Sequence, residues 1–442
     1  MPLIRLLVLG LAALSVGCGT PRANPVSDAW VLADVTLIDG TGAPARPGVS
    51  IVVRDGIIEA ILAAGEPLPA GISTIDLGGR FVMPGLIDSH VHLKTQPRPD
   101  GMIEQVLNAA LLGGVTTVRD MGGAGEAIRT LAAAERSGAA TPRIVFSQLV
   151  TGPGSEFWLE GERAAYISGG AAPGTVFGFR RILDPTEVDA VIAEAVLNGA
   201  TGIKLHSGFT VGLAGTVVEA ARRRGLRVWA HGELGSAGPD DLAALGVDSL
   251  SHADMLAYTG VDRAALPSEG YGRRTLSAMA LTPVDGPALG ALLGAMRTNG
   301  VALDPTLMVM GDDEEGAAYR DWVARATRRA FAAGVMIVAG TDALGGSSPN
   351  LHLELQLLVS RCGLSPLEAI RAATLNAAVV MGLDRELGSV APGKRADLVV
   401  LSADPSVDIR NTLTVSAVIK GGVIHRRDRP LTTPPRAQSP QA

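Results

Sequence analysis

Eight short apolar runs alternate with stretches rich in Ala and Leu, and this alternation restricts the fold more than any other feature. The runs have the length and composition of strands, whereas the stretches between them are typical of helices. Such alternation favours parallel βα units, so we predict an α/β protein with a (β/α)8 TIM barrel. The predicted barrel strands are Gly85–His92, Val115–Asp120, Arg143–Thr151, Gly202–His206, Arg227–His231, Ser249–His252, Val301–Thr306 and Met336–Asp342.

Two further segments, residues 30–83 and 385–425, carry β-rich runs bounded by turn signals such as Asp55-Gly56, a pattern typical of hairpins. Neither segment is long enough to close a β-sandwich alone. We therefore predict one small β-sandwich built from both termini, beside a barrel domain over 84–384. A chain of 442 residues with 47% hydrophobic residues can form both cores.

The helix after the eighth strand has a clear start signal. Ser365 precedes Pro366, and Glu368 follows at the third helical position, which predicts a capping box with Pro in the first turn. We expect this helix to continue to Met381.

The N-terminus has the layout of a secretory signal peptide, with Arg5 before an apolar run from Leu6 to Val16. Cys18 follows small residues, as in a bacterial lipobox, so residues 1–18 are predicted to be a lipoprotein signal peptide and Cys18 the lipidated residue. An ordinary secreted protein is the alternative. We expect a tether over 19–29, a disordered tail over 426–442, and an exported protein anchored in the cell envelope by its lipid, on the periplasmic side or at the cell surface.

Ligand-type side chains recur where the predicted barrel strands end. His90 and His92 are two residues apart on one strand, so their side chains point to the same face. Each of these side chains alone is more simply explained by packing, but six at one level of a barrel indicate a site. The set is His90, His92, Lys204, His231, His252 and Asp342.

Three or four imidazoles and a carboxylate suit a divalent ion such as zinc, with manganese, cobalt or iron as alternatives. A bound metal lowers the pKa of its water to about 7 and so supplies hydroxide at neutral pH. Asp342 could ligate the metal and also carry the proton to the leaving group. A protonated Lys204 would be repelled by cations, but a deprotonated Lys204 that captures CO2 would bridge two metals as a carbamate.

The order HxH, Lys, His, His, Asp resembles the amidohydrolase superfamily, especially its prolidase-like and imidazolonepropionase-like members. The stretches Val115–Asp120, Gly246–His252, Gly340–Ala343 and Leu387–Leu398 are similar to that family as well. The resemblance covers roughly residues 30–425 and implies a TIM barrel with a terminal β-sandwich. It also implies His90 and His92 on one metal, His231 and His252 on a second, carboxylated Lys204 (N6-carboxylysine) between them, and Asp342 as ligand and proton shuttle.

One departure concerns the residue two positions after His231. Dipeptidase-like members typically have a Tyr there that helps to hold a substrate carboxylate, whereas this chain has Glu233. Glu233 could meet a cationic group of the substrate, or be held by Arg119 or Arg227. We include Arg119, His206 and Glu233 as candidate substrate contacts. The alternatives are an internal salt bridge for Arg119, a loop histidine for His206 and a solvated carboxylate for Glu233.

The leading hypothesis is a metal-dependent hydrolase that cleaves a C–N amide bond of a peptide or acyl-amino acid, such as a dipeptidase, with a metal-bound hydroxide. The alternatives are a mononuclear deaminase or a cyclic amide or lactone hydrolase of the same superfamily, and a lipoprotein that only binds metal or ligand. The partner is a small-molecule substrate. A net charge of −6 with 3% aromatic residues argues against nucleic acid.

Overall fold

The computed structural model describes residues 29–155, 160–267, 271–310, 316–344 and 350–426. The predicted signal peptide with Cys18, the tether up to residue 28 and the predicted tail from residue 427 lie outside these residues. Among the described residues, no helix is long and apolar enough to span a membrane.

The chain enters the described region through five strands that precede the barrel. Most residues in the middle of the first, second and fifth of these strands are buried, whereas the third and fourth strands are more exposed. The turn between the second and third strand is Asp55-Gly56, with φ of 50° and 76°, as the hairpin signal predicts. The strands are β1 (Ala29–Leu37), β2 (Arg46–Arg54), β3 (Ile57–Leu62), β4 (Ser73–Asp76) and β5 (Phe81–Pro84).

Seven parallel strands then form most of a barrel, and two short strands of the insert after the third one extend the sheet locally. Most of the seven are completely buried, because helices cover their outer face and side chains fill the inside. The seven are β6 (Leu86–His92), β7 (Val115–Asp120), β8 (Arg143–Thr151), β11 (Gly202–Leu205), β12 (Arg227–His231), β13 (Ser249–Ser251) and β14 (Ala302–Asp304), and the insert strands are β9 (Thr175–Val176) and β10 (Phe179–Arg181).

The eighth predicted strand is not a regular strand over Met336–Asp342. Ile337 bridges to Leu303 of β14, and only β15 (Ala343–Leu344) pairs with β6. Gly340 packs against His90, and Asp342 has φ of 50°, so the backbone leaves the extended conformation between these contacts. The segment nevertheless contacts both β14 and β6, and the (β/α)8 prediction is confirmed as a nearly closed parallel barrel.

Twelve α-helices surround the described parts of the sheets. The predicted capping box is present, because the Ser365 hydroxyl accepts from the Glu368 amide and the Glu368 carboxylate accepts from the Ser365 amide. The helix that begins there ends at Ala372 rather than continuing to Met381, and a second one starts after Thr374. The helices are α1 (Met102–Leu112), α2 (Gly125–Arg136), α3 (Gly161–Ile167), α4 (Val188–Leu197), α5 (Val211–Arg223), α6 (Pro239–Leu245), α7 (Tyr271–Leu281), α8 (Pro287–Asn299), α9 (Ala317–Ala332), α10 (Leu351–Ser360), α11 (Pro366–Ala372) and α12 (Leu375–Met381).

Three last strands, β16 (Leu398–Leu401), β17 (Val415–Lys420) and β18 (Val423–Arg426), return to the N-terminal strands. β16 pairs antiparallel with β5, and hydrogen bonds join all eight strands into one sheet. Apolar residues from both ends share its core, among them Leu32, Val82 and Leu398. The prediction that both termini build one β domain is thus confirmed. A single residue, Gly85, separates β5 from the barrel strand that carries His90 and His92.

The amino end of the barrel is closed by apolar packing. Trp229 of β12 is completely buried and lies in one cluster with Ile87 and Met381. Its indole nitrogen donates to the carbonyl of Val380, so the only polar atom of this side chain is satisfied. The barrel interior is therefore sealed below the level at which the ligand-type residues lie.

Glu354 of α10 holds the segment that follows β14 through a buried carboxyl group. It is completely buried, and its two oxygens accept the backbone amides of Leu307 and Met308 at 3.0 and 2.8 Å. Burial raises the pKa of Glu354 to about 8. In the unfolded chain the Glu354 carboxyl group has its ordinary, lower pKa, so between about pH 5 and pH 8 it is ionised in the unfolded state but still protonated in the folded one. The free energy of unfolding of the wild type therefore falls as the pH rises through this range. A Glu354→Gln variant has no carboxyl group at this position and lacks this dependence.

We therefore expect the melting temperature of Glu354→Gln, measured by calorimetry with chelator present, to rise relative to wild type as the pH increases through this range. The effect is at most about 1.4 kcal/mol per pH unit. Glu104→Gln, an exposed change on α1, serves as the control. A constant difference between wild type and Glu354→Gln at all pH values would contradict the prediction.

Candidate metal centre

The six predicted ligand residues all lie at the carboxyl end of the barrel. His90 and His92 are at the end of β6, His231 ends β12, and His252 directly follows β13. Their rings form a continuous group, with centroid separations of 5.3 Å for His90 and His92, 5.1 Å for His90 and His252, and 4.5 Å for His231 and His252. The parallel strands thus bring residues from distant parts of the sequence to one place.

Asp342 faces this group from the segment that closes the barrel. Its Oδ1 atom lies 3.4 Å from Nε2 of His90 and 3.5 Å from Nε2 of His92. Ligand atoms of His90, His252 and Asp342 all lie within 4.8 Å of one another, which is suitable for one metal ion. The family resemblance implies that His90 and His252 bind two different metal ions, so this group combines residues of both implied sets.

The hydrogen bonds around the imidazoles leave their Nε2 atoms directed at the centre. Nδ1 is 2.7 Å from the Gly122 carbonyl in His92 and 2.9 Å from the Thr306 hydroxyl in His252. In His90 it is 2.8 Å from the Asp304 carboxylate, while Nε2 is buried without a hydrogen-bond partner. Metal-binding histidines are typically oriented in this way through their second nitrogen, so the residues fit a divalent cation.

The imidazoles are held in the neutral form that metal binding requires. Burial lowers the pKa of His92 to about 4 and of His206 to about 3, and it holds the pKa values of His90, His231 and His252 well below the ordinary value. A positive charge on Lys204 acts in the same direction on all five pKa values.

The pKa values of Lys204 and Asp342 are both shifted towards neutral pH, but in opposite directions. Burial lowers the pKa of the completely buried Lys204 to about 7, although Asp304 and Asp342 raise it, and the amine donates to the Ser251 hydroxyl at 2.9 Å. Burial raises the pKa of Asp342 to about 7, against the lowering effect of Lys204. A neutral amine and a carboxyl group of near-neutral pKa are the forms needed for CO2 capture and for proton transfer.

Backbone strain is concentrated at the same strand ends. His252, Thr306 and Asp342 have φ values of 70°, 50° and 50°, in the left-handed region that non-glycine residues rarely adopt. Such conformations cost of order 1–3 kcal/mol each and persist only where surrounding contacts determine them. Here the contacts include the bond between His252 and Thr306 and the amide of Asp342, which donates to the His90 carbonyl.

The three candidate substrate contacts have different environments. Arg119 is completely buried beneath the site, where it donates to the Ser89 carbonyl, lies 3.5 Å from Asp304 and stacks 4.7 Å from the Trp229 ring centroid. This is the internal ion pair that we considered as the alternative, and direct contact with substrate does not agree with its burial. His206 lies in the centre, with its ring centroid 4.2 Å from that of His231.

Glu233 is not held by Arg119 or Arg227, because those side chains pair with Asp304 and Asp248. Its carboxylate accepts the Gly235 amide at 3.0 Å and lies 3.7 Å from Nε of Arg263. Burial raises the pKa of Glu233, while Arg263 lowers it. The side chain is 18% exposed, so it is a partly accessible carboxylate at the mouth of the barrel.

Two residues that support the ligands were not among our candidates. Asp304 is the last residue of β14, and Thr306 follows two positions later, both within the predicted seventh strand. The rule that selected the other residues, a polar side chain at a strand end, applies to Asp304 as well. Thr306 and the Gly122 carbonyl carry no comparable signal, since their role depends on contacts across the barrel.

Comparison with known proteins gives a consistent result. An imidazolonepropionase of Deinococcus deserti is 29% identical over 409 residues, which cover 84% of this chain and 89% of that protein. The solved structure of a putative prolidase from Bifidobacterium longum is 27% identical, with a TM-score of 0.67, over 90% of this chain and 95% of that one. A Xaa-Pro dipeptidase with bound methionine in its active site is 25% identical, with a TM-score of 0.68, over 90% and 100%.

The family itself is identified by a profile match over most of the chain. Residues 81–425 match the profile described as the amidohydrolase family. This range contains the whole barrel and all six ligand-type side chains, whose His90, His252 and Asp342 members could hold a metal ion. The chain therefore belongs to the amidohydrolase family of metal-dependent hydrolases.

Proposed function

We propose that this protein hydrolyses the C–N amide bond of a peptide or acyl-amino acid with two divalent metal ions, bridged by Lys204 in its carboxylated form. Zinc is the proposed metal. His90, His92, His231, His252 and Asp342 would hold the ions together with the lysine carbamate. The observation that carries the proposal is the position of Lys204, which is completely buried, donates to the Ser251 hydroxyl and is near enough to the four imidazoles to affect their pKa values.

The environment of Lys204 supports carboxylation. A lysine whose pKa lies at about 7 is largely uncharged in mildly alkaline solution, and only the uncharged amine can react with CO2. Carboxylation replaces a cation that would repel metal ions with an anion that attracts them. A site with Lys204 as a permanent ammonium would instead place a positive charge in the middle of a cation site.

The metal ions, Asp342 and Glu233 would have different roles in the reaction. Divalent ions bound here would polarise the scissile carbonyl and acidify a water molecule. Asp342 is suited to accept a proton and to donate it to the leaving nitrogen, because its pKa lies at about 7 and its side chain is 19% exposed on the open side of the centre. Glu233 at the mouth favours a substrate whose end nearest to it is neutral or cationic.

Ring opening of a cyclic amide is the second candidate, supported by the likeness to an imidazolonepropionase. A mononuclear site would also allow deamination. Deamination at a mononuclear site is separated from the leading proposal by the metal content, whereas ring opening is separated from it by the substrate that is turned over. A protein that only binds metal or ligand would show thermal stabilisation by such compounds without turnover.

The first prediction concerns metal content. We expect about two equivalents per chain in protein purified with bicarbonate, and about one or fewer in Lys204→Ala, because loss of the bridge removes a ligand of both ions. The measurement is elemental analysis by mass spectrometry. Lys420→Ala, which removes an ion pair with Glu135 far from the centre, is the matched control and should keep the parent content. One equivalent in the parent, unchanged in Lys204→Ala, would rule out the bridge.

The second prediction concerns Asp342. In a screen of dipeptides, acyl-amino acids, lactones and cyclic amides, we expect turnover of an amide substrate, and kcat lowered about 10²–10⁴-fold in Asp342→Asn, since proton transfer is lost. Asp34→Asn is a close control, because Asp34 is an exposed aspartate with the same left-handed backbone, φ 48°. Full activity of Asp342→Asn on every substrate turned over would refute the assigned role.

We also propose that the chain is exported and anchored in the cell envelope by lipid on Cys18, which rests on the N-terminal sequence alone. Expression of the full chain in a bacterial host with labelled fatty acid should give a labelled, membrane-associated protein. Cys18→Ser should abolish both the label and the membrane association, whereas Cys362→Ser should change neither. Labelling that is unaffected by Cys18→Ser would contradict the proposal.

A further inference from the structure

The hydrogen-bond acceptor for Nδ1 of His90 differs in kind from those of the two neighbouring ligand histidines. His92 is paired with a backbone carbonyl and His252 with a hydroxyl group. Nδ1 of His90 is instead paired with a carboxylate, that of Asp304, at 2.8 Å. Both side chains are completely buried, so neither exchanges this contact for water.

Asp304 also lies at the junction between two ligand residues. The Oδ2 atom that faces His90 is 3.5 Å from the Ser251 hydroxyl, and the same hydroxyl accepts from Lys204 at 2.9 Å. The guanidinium of Arg119 lies 3.5 Å from Oδ2 on the side away from the centre. The carboxylate therefore connects His90 on β6 with Lys204 on β11 through the strands β13 and β14.

The backbone leaves room for this pair. A Cβ atom on Gly340 would lie 2.6 Å from Oδ1 of Asp304 and 2.6 Å from Cβ of His90, which is closer than real contacts allow. Any side chain at position 340 would therefore push the His90 and Asp304 side chains from their places. The absence of a side chain at Gly340 is what permits the carboxylate to reach Nδ1.

We propose that Asp304 is a positioning residue for the metal centre, which fixes the His90 imidazole in the tautomer whose Nε2 atom faces the metal and orients Lys204 through Ser251. A carboxylate accepts but does not donate, so Nδ1 must carry the proton and Nε2 must present its lone pair. This inference rests on the proposed function in so far as it assumes that metal binds at His90. Asp304 itself neither binds the metal nor contacts the substrate.

A purely structural role for Asp304, as counter-ion of the buried Arg119, makes a different prediction. Removal of the carboxylate would then lower stability but leave metal affinity and the His90 tautomer unchanged. The distances favour the positioning role, since Oδ2 is 2.8 Å from His90 and 3.5 Å from Arg119.

The test compares Asp304→Ala and Asp304→Asn with Asp397→Asn in the full chain. Asp397 is a matched control, because it is a buried aspartate 2.8 Å from Arg143 at the junction with the terminal sheet, away from the centre. Zinc affinity is measured by competition with a chromogenic chelator. We expect a loss of about 10–100-fold in Asp304→Ala, a smaller loss in Asp304→Asn, whose amide oxygen still accepts from Nδ1, and none in Asp397→Asn.

A second measurement reads the tautomer directly and needs no metal. The chain has seven histidines, and the imidazole ¹⁵N resonances of the metal-free protein distinguish protonated Nδ1 from protonated Nε2. The His90 signals, assigned through a His90→Gln variant, should show protonated Nδ1 in the parent and in Asp304→Asn. In Asp304→Ala they should show a mixture of tautomers. Should the alanine variant fail to fold, two readouts still test the positioning role. They are the zinc affinity of Asp304→Asn relative to Asp397→Asn and the His90 tautomer of the parent.

The outcomes separate the two proposals. If the parent binds no metal, the proposed function fails, but a fixed His90 tautomer that depends on Asp304 still supports the positioning role. If the parent binds metal and both Asp304 variants bind it equally well with an unchanged tautomer, the positioning role is overturned and the proposed function stands. Loss of stability alone in the Asp304 variants, equal to that in Asp397→Asn, would assign Asp304 to the structural role.

Discussion

Desolvation of the polar groups at the carboxyl end of the barrel is the constraint on which the rest of the site depends. Moving a charged group out of water costs several kcal/mol even after relaxation, so a buried cluster must neutralise or pair its members. The imidazoles are neutral, and Arg119 is paired with Asp304 and covered by Trp229. Burial lowers the pKa of Lys204 and raises that of Asp342, each to about 7. Burial also raises the pKa of Asp304, whereas the charges of Arg119 and Lys204 lower it. Small changes in charge therefore shift protons throughout this centre, and a bound cation would favour the carboxylate forms.

The orientation of the ligand-type imidazoles is determined by the hydrogen-bond partners of their Nδ1 atoms. Each Nδ1 contact joins two different strands or loops, so the orientation of one imidazole depends on the position of a neighbouring strand. The strained conformations of His252, Thr306 and Asp342 occur where the strands must turn outward and yet direct a side chain inward. Strain and hydrogen bonds together hold the Nε2 atoms convergent, which is the pre-organisation that a metal site needs.

The fold and the positions of the ligand-type side chains could be predicted because they follow local rules. Period-2 geometry places His90 and His92 on one face, and the barrel places every strand end at the same level. The capping box at Ser365 was likewise predicted from four residues. The break at Ala373 and Thr374 and the irregular eighth strand could not be predicted, since they arise where the backbone bonds to β6.

The partners of Glu233 and Arg119 show the same limit. We considered Arg119 or Arg227 as a partner of Glu233, but Glu233 meets Arg263, which lies between β13 and α7. Arg119 is paired with a residue 185 positions away. Contacts between side chains of distant elements depend on how the whole barrel is assembled, so they cannot be predicted from composition and spacing.

The direct passage from β5 to β6 through Gly85 has a consequence for synthesis on the ribosome. β5 is flanked on one side by β1, but on the other by β16, which is translated roughly 300 residues later. The strand that carries His90 and His92 is thus anchored at its base by a sheet that cannot be completed until nearly the whole polypeptide has emerged. Co-translational folding can build the βα units in succession, but the support beneath His90 and His92 is acquired last.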